Sequence, residues 1–425
     1  MIVRKGPVAA TAYDRPMRDA IPRRPAKPIP FIVLHEPAAK APQPRGFALW
    51  QLGFRPFYLL AGIFGAGSIA LWAAQVSGAL GATYLPGPVW HAHEMLFGFA
   101  LAVIVGFLFT AGRNWSGRPT PRGAPLAALA ALWLAARCVA LTPYGWIGAV
   151  VGPAFALAAA VGLAIPLHAA GNRRNYVFVG LLVAFAVLDL VFHLAVLGAF
   201  AVPEFFGVRL GLDIVLFVMV LMSGRVLPMF TNNAIAGAGA ERRPRLEAFA
   251  LGAIVALAVA DLAGVGGTAL GVVALGAAAL HAARWSLWRP WKTLRTPIVW
   301  ILHIATLWIP IHLALRGAAA LGWVASTAAS HALTVGALGG LVLGMMTRTS
   351  RGHTARPLRA DAFDIVSYVL VSLAAVVRVV LPIVRPEATM TAIVGSAVLW
   401  STAFAIFSVR YWSVLTRPRL DGAPG

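Results

Sequence analysis

The sequence predicts an all-α, polytopic integral membrane protein of about twelve transmembrane helices, with both termini in the cytoplasm. Three observations predict it. The 425-residue chain is 60% apolar. Its apolar residues fall into twelve runs, each long enough to cross the ~30 Å hydrocarbon core as a helix. Its 35 Lys and Arg, against 14 Asp and Glu, collect in alternate gaps between those runs. Within lipid every backbone N–H and C=O must be paired inside its own segment, so such runs become helices.

Taken in order, the first run, 56–78, follows an N-terminal tail rich in Pro and basic residues. The second, 90–111, is followed by Arg113, Arg118 and Arg122. Runs 124–142 and 145–168 come next, then a gap with Arg173 and Arg174. Runs 175–199 and 211–230 lead to Arg242, Arg243 and Arg245. Runs 246–264 and 267–286 lead to Arg289, Lys292 and Arg295. Runs 297–316 and 325–347 lead to Arg348, Arg351, Arg356 and Arg359. The last two are 361–383 and 389–412. The intervening gaps hold only Arg209, Arg316 and Arg385. Cytoplasmic loops carry the excess of Lys and Arg, which places both ends inside. The formal net charge of +21 is therefore topology rather than a nucleic-acid footprint.

Three regions follow: a disordered basic cytoplasmic tail, 1–45; a twelve-helix membrane domain, 46–416; and a cytoplasmic C-terminal tail, 417–425. The tail lacks the apolar core of a cleavable signal peptide. The single Cys138 excludes an internal disulfide, a Cys-ligated iron–sulfur cluster and c-type haem attachment. No GxxxxGK[ST] loop is present, which argues against a nucleotide-driven pump.

Helices two and ten repeat one another. A gapless shift of 238 residues pairs His93 with His331, Gly98 with Gly336, Gly106 with Gly344, Arg113 with Arg351, and Arg118-Pro119 with Arg356-Pro357. Helices eight apart match a four-plus-four-plus-four design rather than six-plus-six. Helix six, with Gly211, Gly224 and Arg225, fits only loosely and has no His, so the threefold repeat is suggested and not shown.

Ionisable residues inside a bilayer are expensive and therefore functional candidates. Of ten His, His35 lies in the tail, and His168 and His281 near helix ends read as surface residues. His91, His93, His193, His312 and His331 fall in the outer half, and His303 and His353 toward the inner side. A set rich in imidazole, with no Cys ligand and few carboxylates, suits haem iron, copper or zinc. Glycines at 98, 106, 336 and 344 would leave room for a haem, and Arg137 and Arg378 would meet its propionates. The repeat makes His93 and His331 an expected axial pair of a b-type haem. His91 projects about 200° from His93 on a helix, which assigns it to a second centre; His193 is its expected partner. Glu94 is a candidate to orient a ligand imidazole, a proton-path residue, or merely interfacial. Asp189, one turn before His193, is placed to pair with it.

Several motifs resemble those of the NnrS family. They include Leu52-Gly53-Phe54-Arg55-Pro56-Phe57, Trp90-His91-Ala92-His93-Glu94-Met95, Asn172-Arg173-Arg174-Asn175-Tyr176 and Leu188-Asp189-Leu190-Val191-Phe192-His193. Gly224-Arg225-Val226-Leu227-Pro228, Trp300-Ile301-Leu302-His303, His331-Ala332-Leu333-Thr334 and Gly352-His353-Thr354-Ala355-Arg356-Pro357 continue the series. The resemblance implies a bacterial inner-membrane protein with haem b and copper, acting in the response to nitric oxide and nitrosative stress, often beside denitrification. It singles out His91, His93, His193, His303, His331 and His353 as metal-ligand candidates, with Arg55 and Arg225, and leaves His312 outside its pattern. The architecture is also similar to the catalytic subunit of haem–copper oxidases, although a His-His pair on the seventh helix is missing. Whether the chain turns over a substrate, transports haem, copper or a nitrosyl complex, or serves as a non-catalytic sensor stays open on sequence. So do the electron donor and the oligomeric state.

Overall fold

A computed structural model describes residues 46–423, apart from Ser77, Leu80–Ala82 and Glu204. The N-terminal tail, with His35, lies outside the described residues.

Twelve long helices form among the described residues, one for each apolar run, and no strand. They are α1 (Phe54–Val76), α2 (Gly87–Ser116), α3 (Ala124–Val139), α4 (Gly145–Ala169), α5 (Tyr176–Val196) and α6 (Phe206–Ala234). The second half comprises α7 (Pro244–Leu262), α8 (Gly267–Leu287), α9 (Pro297–Ala320), α10 (Ser326–His353), α11 (Ala362–Val384) and α12 (Thr389–Thr416). Ten are long and apolar enough to cross a membrane. The exceptions have physical reasons. Helix α3 has only 16 residues. Helix α7 carries Arg245, Glu247 and Asp261, and its acids are neutralised by neighbours: Glu247 by Arg284 of α8, Asp261 by Arg316 of α9. The protein is thus an all-α, multi-pass membrane protein, with aliphatic side chains such as Val150, Val161, Ile165 and Val409 on its lipid-facing perimeter.

The packing follows a four-helix shift. Helix α1 packs on α12, α5 on α4 and α9 on α8; α3 packs on α4, α7 on α8 and α11 on α12. The most enclosed spans are α2 and α10, 78% and 72% buried, against 33% for α8 and α11, so these two are central. The backbone adds a second sign of repetition. Each central helix changes from α to π just after its histidine: α2 at Glu94–Ala100, behind His93, and α10 at Ala332–Gly339, behind His331. Glu94 and Ala332 are 238 residues apart, the shift that aligns the sequences. A π segment inserts an extra residue per turn and re-aims the side chains before it; such segments concentrate at functional sites. The aligned glycines serve close packing. A Cβ on Gly106 would strike Phe57 and Tyr58 of α1, and one on Gly344 would strike Ile301 and Leu302 of α9. Helices α1 and α9 are themselves eight apart.

Proline lies inside α4 (Pro153, Pro166), α6 (Pro228), α9 (Pro310) and α11 (Pro382). In a membrane these are tolerated because neighbouring helices and hydroxyls satisfy the freed carbonyls. Past α12, Arg419 Nη1 donates to the His353 carbonyl and the Leu420 amide to that of Thr354, tying the chain end to α10.

Candidate metal centre

The first turns of α2 end on His93 and Glu94, and the last turns of α5 carry Asp189 and His193. The two ends meet. His93 Nδ1 lies 2.9 Å from Glu94 Oε1, and its Nε2 lies 2.7 Å from Asp189 Oδ1. His193 Nε2 lies 3.3 Å from the same Asp189 oxygen, one helical turn away. One ligand atom each from His93, Asp189 and His193 falls within 4.8 Å of the others, so the three could hold a metal ion. All three are buried.

The surroundings fix these groups. Glu94 Oε2 faces Arg137 Nε of α3 at 3.2 Å, so the second carboxylate is charge-balanced. Tyr84 Oη sits 3.2 Å from His193 Nδ1. The His93 ring stacks on Phe192, with centroids 4.8 Å apart and planes at 27°, and leans on Phe97. Two glycines of α4 open the wall: a Cβ on Gly152 would come within 2.6 Å of Asp189 Oδ2, and one on Gly148 would overlap the Tyr84 hydroxyl. Phe192 also lines an apolar cavity of about 290 Å³ with Val89, Val196, Phe205 and Phe206.

The expected carboxylate–histidine pair of Asp189 and His193 is present, and Glu94 orients an imidazole as a ligand-positioning carboxylate would. The contact between histidines that the structure shows is a different one from the expected pairings. His93 meets His193, with ring centroids 4.7 Å apart. His331 lies in the neighbourhood of His91, and both lie near Arg378 of α11. The reason is geometric. Residues related by a repeat occupy equivalent places in different thirds of the molecule and face different neighbours, so equivalence does not mean contact. The angular argument does hold, since His91 and His93 address different groups. His91 packs on Trp72 at 4.9 Å, and its Nδ1 is buried without a partner. His331 Nδ1 lies 2.7 Å from the Thr327 carbonyl, which leaves Nε2 free of that bond.

The remaining histidines are dispersed. His303 Nε2 meets Thr231 Oγ1 at 2.8 Å across α9 and α6, and its Nδ1 has no partner. His312 Nδ1 meets the Ala329 carbonyl on α10, so the two face opposite ways as their spacing requires. His353 packs on Phe54 at the inner end of α10. His168 is exposed, as expected. His281, expected near the surface, is buried, with Nε2 3.3 Å from the Ala250 carbonyl: α7 covers the face of α8 that carries it. Arg55 is buried and donates through Nη1 to the Leu415 and Arg417 carbonyls, closing the ring between α1 and α12. Arg137, expected to meet a propionate, is bound by Glu94.

Sequence reasoning did not find Tyr84, Phe192, Trp72, Gly148 or Gly152 as site residues. Tyr84 lies in a loop, without periodicity to mark it. The Gly148–Gly152 spacing of four was the available signal for a close approach to α4.

A family model, NnrS protein, matches residues 48–419. The chain belongs to the NnrS family. Compared with individually curated proteins, the sequence matches none. The NnrS match spans all twelve helices, so the buried triad, the His91–His331 group and the inner-side histidines all lie within it.

Proposed function

We propose that this protein is a haem- and copper-binding protein of the bacterial inner membrane that handles nitric oxide, in keeping with the nitric oxide response associated with the NnrS family. The observation that carries the reading is the convergence of His93, Asp189 and His193 inside the bilayer, where uncompensated polar groups are costly. Two imidazoles and one carboxylate suit a borderline divalent metal such as copper and argue against calcium or magnesium, which take oxygen ligands. Glu94 accepting from Nδ1 of His93 holds the tautomer that turns Nε2 toward the triad. Both nitrogens of His93 face carboxylates, and Nε2 is the one directed at Asp189 of the triad.

The haem is assigned to the second group. His91 offers a buried ring nitrogen with no partner among the described residues, and His331 engages the Thr327 carbonyl through Nδ1 rather than Nε2. Arg378 sits two turns inside the end of α11, and among the described residues no carboxylate pairs with it. On α3, Arg137 has Glu94; at the position equivalent to Glu94, α10 has Ala332. An unpaired guanidinium at this depth fits the propionate of a haem whose iron takes imidazole. When bound, haem iron and copper supply redox-active centres able to take a nitrosyl ligand. The chain's contribution is to orient the imidazoles, exclude water with Phe97, Phe192 and Trp72, and admit a small apolar gas from the lipid through the cavity beside Phe192.

The test is a visible spectrum and metal analysis of purified wild type, H193A and H331A. Stoichiometric haem lost in H331A and copper lost in H193A support the assignment. Metal that washes out on dialysis of the wild type would favour transport instead. A wild type without haem and copper would overturn the reading.

A further inference from the structure

Two of the family-like motifs, Asn172-Arg173-Arg174-Asn175 and Gly224-Arg225-Val226, play no part in the centres above. They meet at the opposite, basic side. The end of α2 (Trp115), the turn before α5 (Arg174, Asn175), α6 (Arg225) and the α6–α7 loop (Arg242) surround a cavity of about 300 Å³. We propose that this cavity is a binding site for a phosphate-bearing anion, held by the guanidinium groups of Arg174, Arg225 and Arg242.

Charge is the first argument. Arg225 lies within the fields of Arg174 and Arg242, and like charges gathered from three segments repel unless an anion joins them. Neighbouring arginines show how this protein treats a guanidinium with no ligand to meet. Arg284 is held by Glu247 through two bonds of 2.9 Å. Arg316 is held by Asp213 and Asp261, and Arg351 by Asp361 and Asp364. Among the described residues, no carboxylate pairs with Arg174, Arg225 or Arg242.

Positioning is the second argument. The single side-chain bond of Arg225 among the described residues is a long one, 3.5 Å to Asn175 Oδ1. The Asn175 amide is itself fixed, donating to Asn172 Oδ1 at 3.1 Å. Asn172 donates in turn to the Trp115 carbonyl at 2.8 Å. Trp115 stacks on Phe178 at 5.1 Å with planes at 19°, and the Arg225 guanidinium lies 5.8 Å from the Phe178 ring. A planar fork steadied against aromatic and amide groups, with most of its donors unengaged, is suited to the oxygens of a phosphate. The volume admits more than one phosphate group. A soluble phosphate compound and the headgroup of an anionic lipid share this chemistry.

The experiment uses full-length protein in two arms. In detergent, inorganic phosphate is titrated calorimetrically. In nanodiscs of phosphatidylcholine with or without phosphatidylglycerol, retained anionic lipid is counted by native mass spectrometry. Both arms compare wild type with R225Q and with the double variant R174Q/R242Q, whose two positions are exposed and leave the packing untouched. Loss of one charge-assisted contact should weaken binding about tenfold. Phosphate binding weakened in both variants establishes a site for soluble anions; phosphatidylglycerol retention weakened in both establishes a lipid site. Either supports the proposal. No binding in either arm, or binding that R174Q/R242Q leaves unchanged, overturns it and leaves these arginines a topological role only.

Discussion

Asp189 is the group on which the metal centre turns, because one of its oxygens serves both imidazoles. The substitution Asp189→Asn keeps the shape and removes the charge. It weakens two contacts at once, 2.7 Å to His93 and 3.3 Å to His193, and deletes one of three donors. Glu94→Gln is the matched control. It touches His93 only at Nδ1 and donates nothing to the triad. Loss of an orienting carboxylate costs about 10–100-fold in metal affinity. Loss of a direct donor should exceed that, so D189N is expected to weaken copper binding by at least about 100-fold, or ~2.7 kcal/mol. The assay is competition for copper against a chelator of known affinity, with copper content measured on the same samples. Removing one member of a buried ionic group destabilises by roughly 3–5 kcal/mol, so melting of the apo-protein is followed in parallel. H193Q, which keeps Asp189, provides an independent donor deletion and should lose affinity comparably. If D189N and H193Q bind copper within about threefold of wild type, the triad is not the site. If E94Q costs more than D189N, the donor assignment is wrong.

Gly152→Ala should displace the Asp189 carboxylate, the end of a flexible side chain, and lower copper content several-fold with little change in melting; full copper would show that the close approach is irrelevant. His91→Ala, His331→Ala and Arg378→Gln should each alter the haem spectrum while copper stays near wild type; a haem spectrum indifferent to all three would refute the second group. Reporter fusions after residues 85, 205 and 319 should read as periplasmic, and those at 117, 238 and 355 as cytoplasmic; two or more reversals would invert the orientation assigned from Lys and Arg.

The fold was legible because bilayer physics leaves one solution for a long apolar run. All twelve runs became helices, and even the short α3 and the charged α7 were recognisable. The buried His/Asp cluster was legible in its members and not in its contacts. His93, His193, Asp189 and Glu94 stood out as polar residues in apolar helices. Which of them touch depends on the rotation of α2 against α5, and the π segment after His93 changes that rotation by an amount no periodicity records. Tyr84 and Gly152 were invisible for the complementary reason: they serve the site from a loop and from a bare backbone.

The three successive sets of four helices differ in how they neutralise charge, and on the proposed reading that difference separates their roles. In the first third, Glu94 of α2 balances Arg137 of α3, so the nearby Asp189 is left to the two imidazoles. In the second, α6 offers no His. Asp213 and Asp261 of α6 and α7 flank Arg316 of α9 at 3.0 and 2.7 Å as an ion-paired group. In the third, α10 has the histidine and the π segment, Ala332 stands where α2 has the acid, and Arg378 of α11 lies near His91 and His331 with no carboxylate paired to it among the described residues. A charged side chain at such depth costs on the order of 3 kcal/mol or more unless something pairs with it. On the proposed reading, the group where α2 meets α5 takes a cation, and the group around Arg378 takes an anion. On the proposed reading, two chemically distinct centres would arise on similar helices because α2 carries Glu94 where α10 carries Ala332.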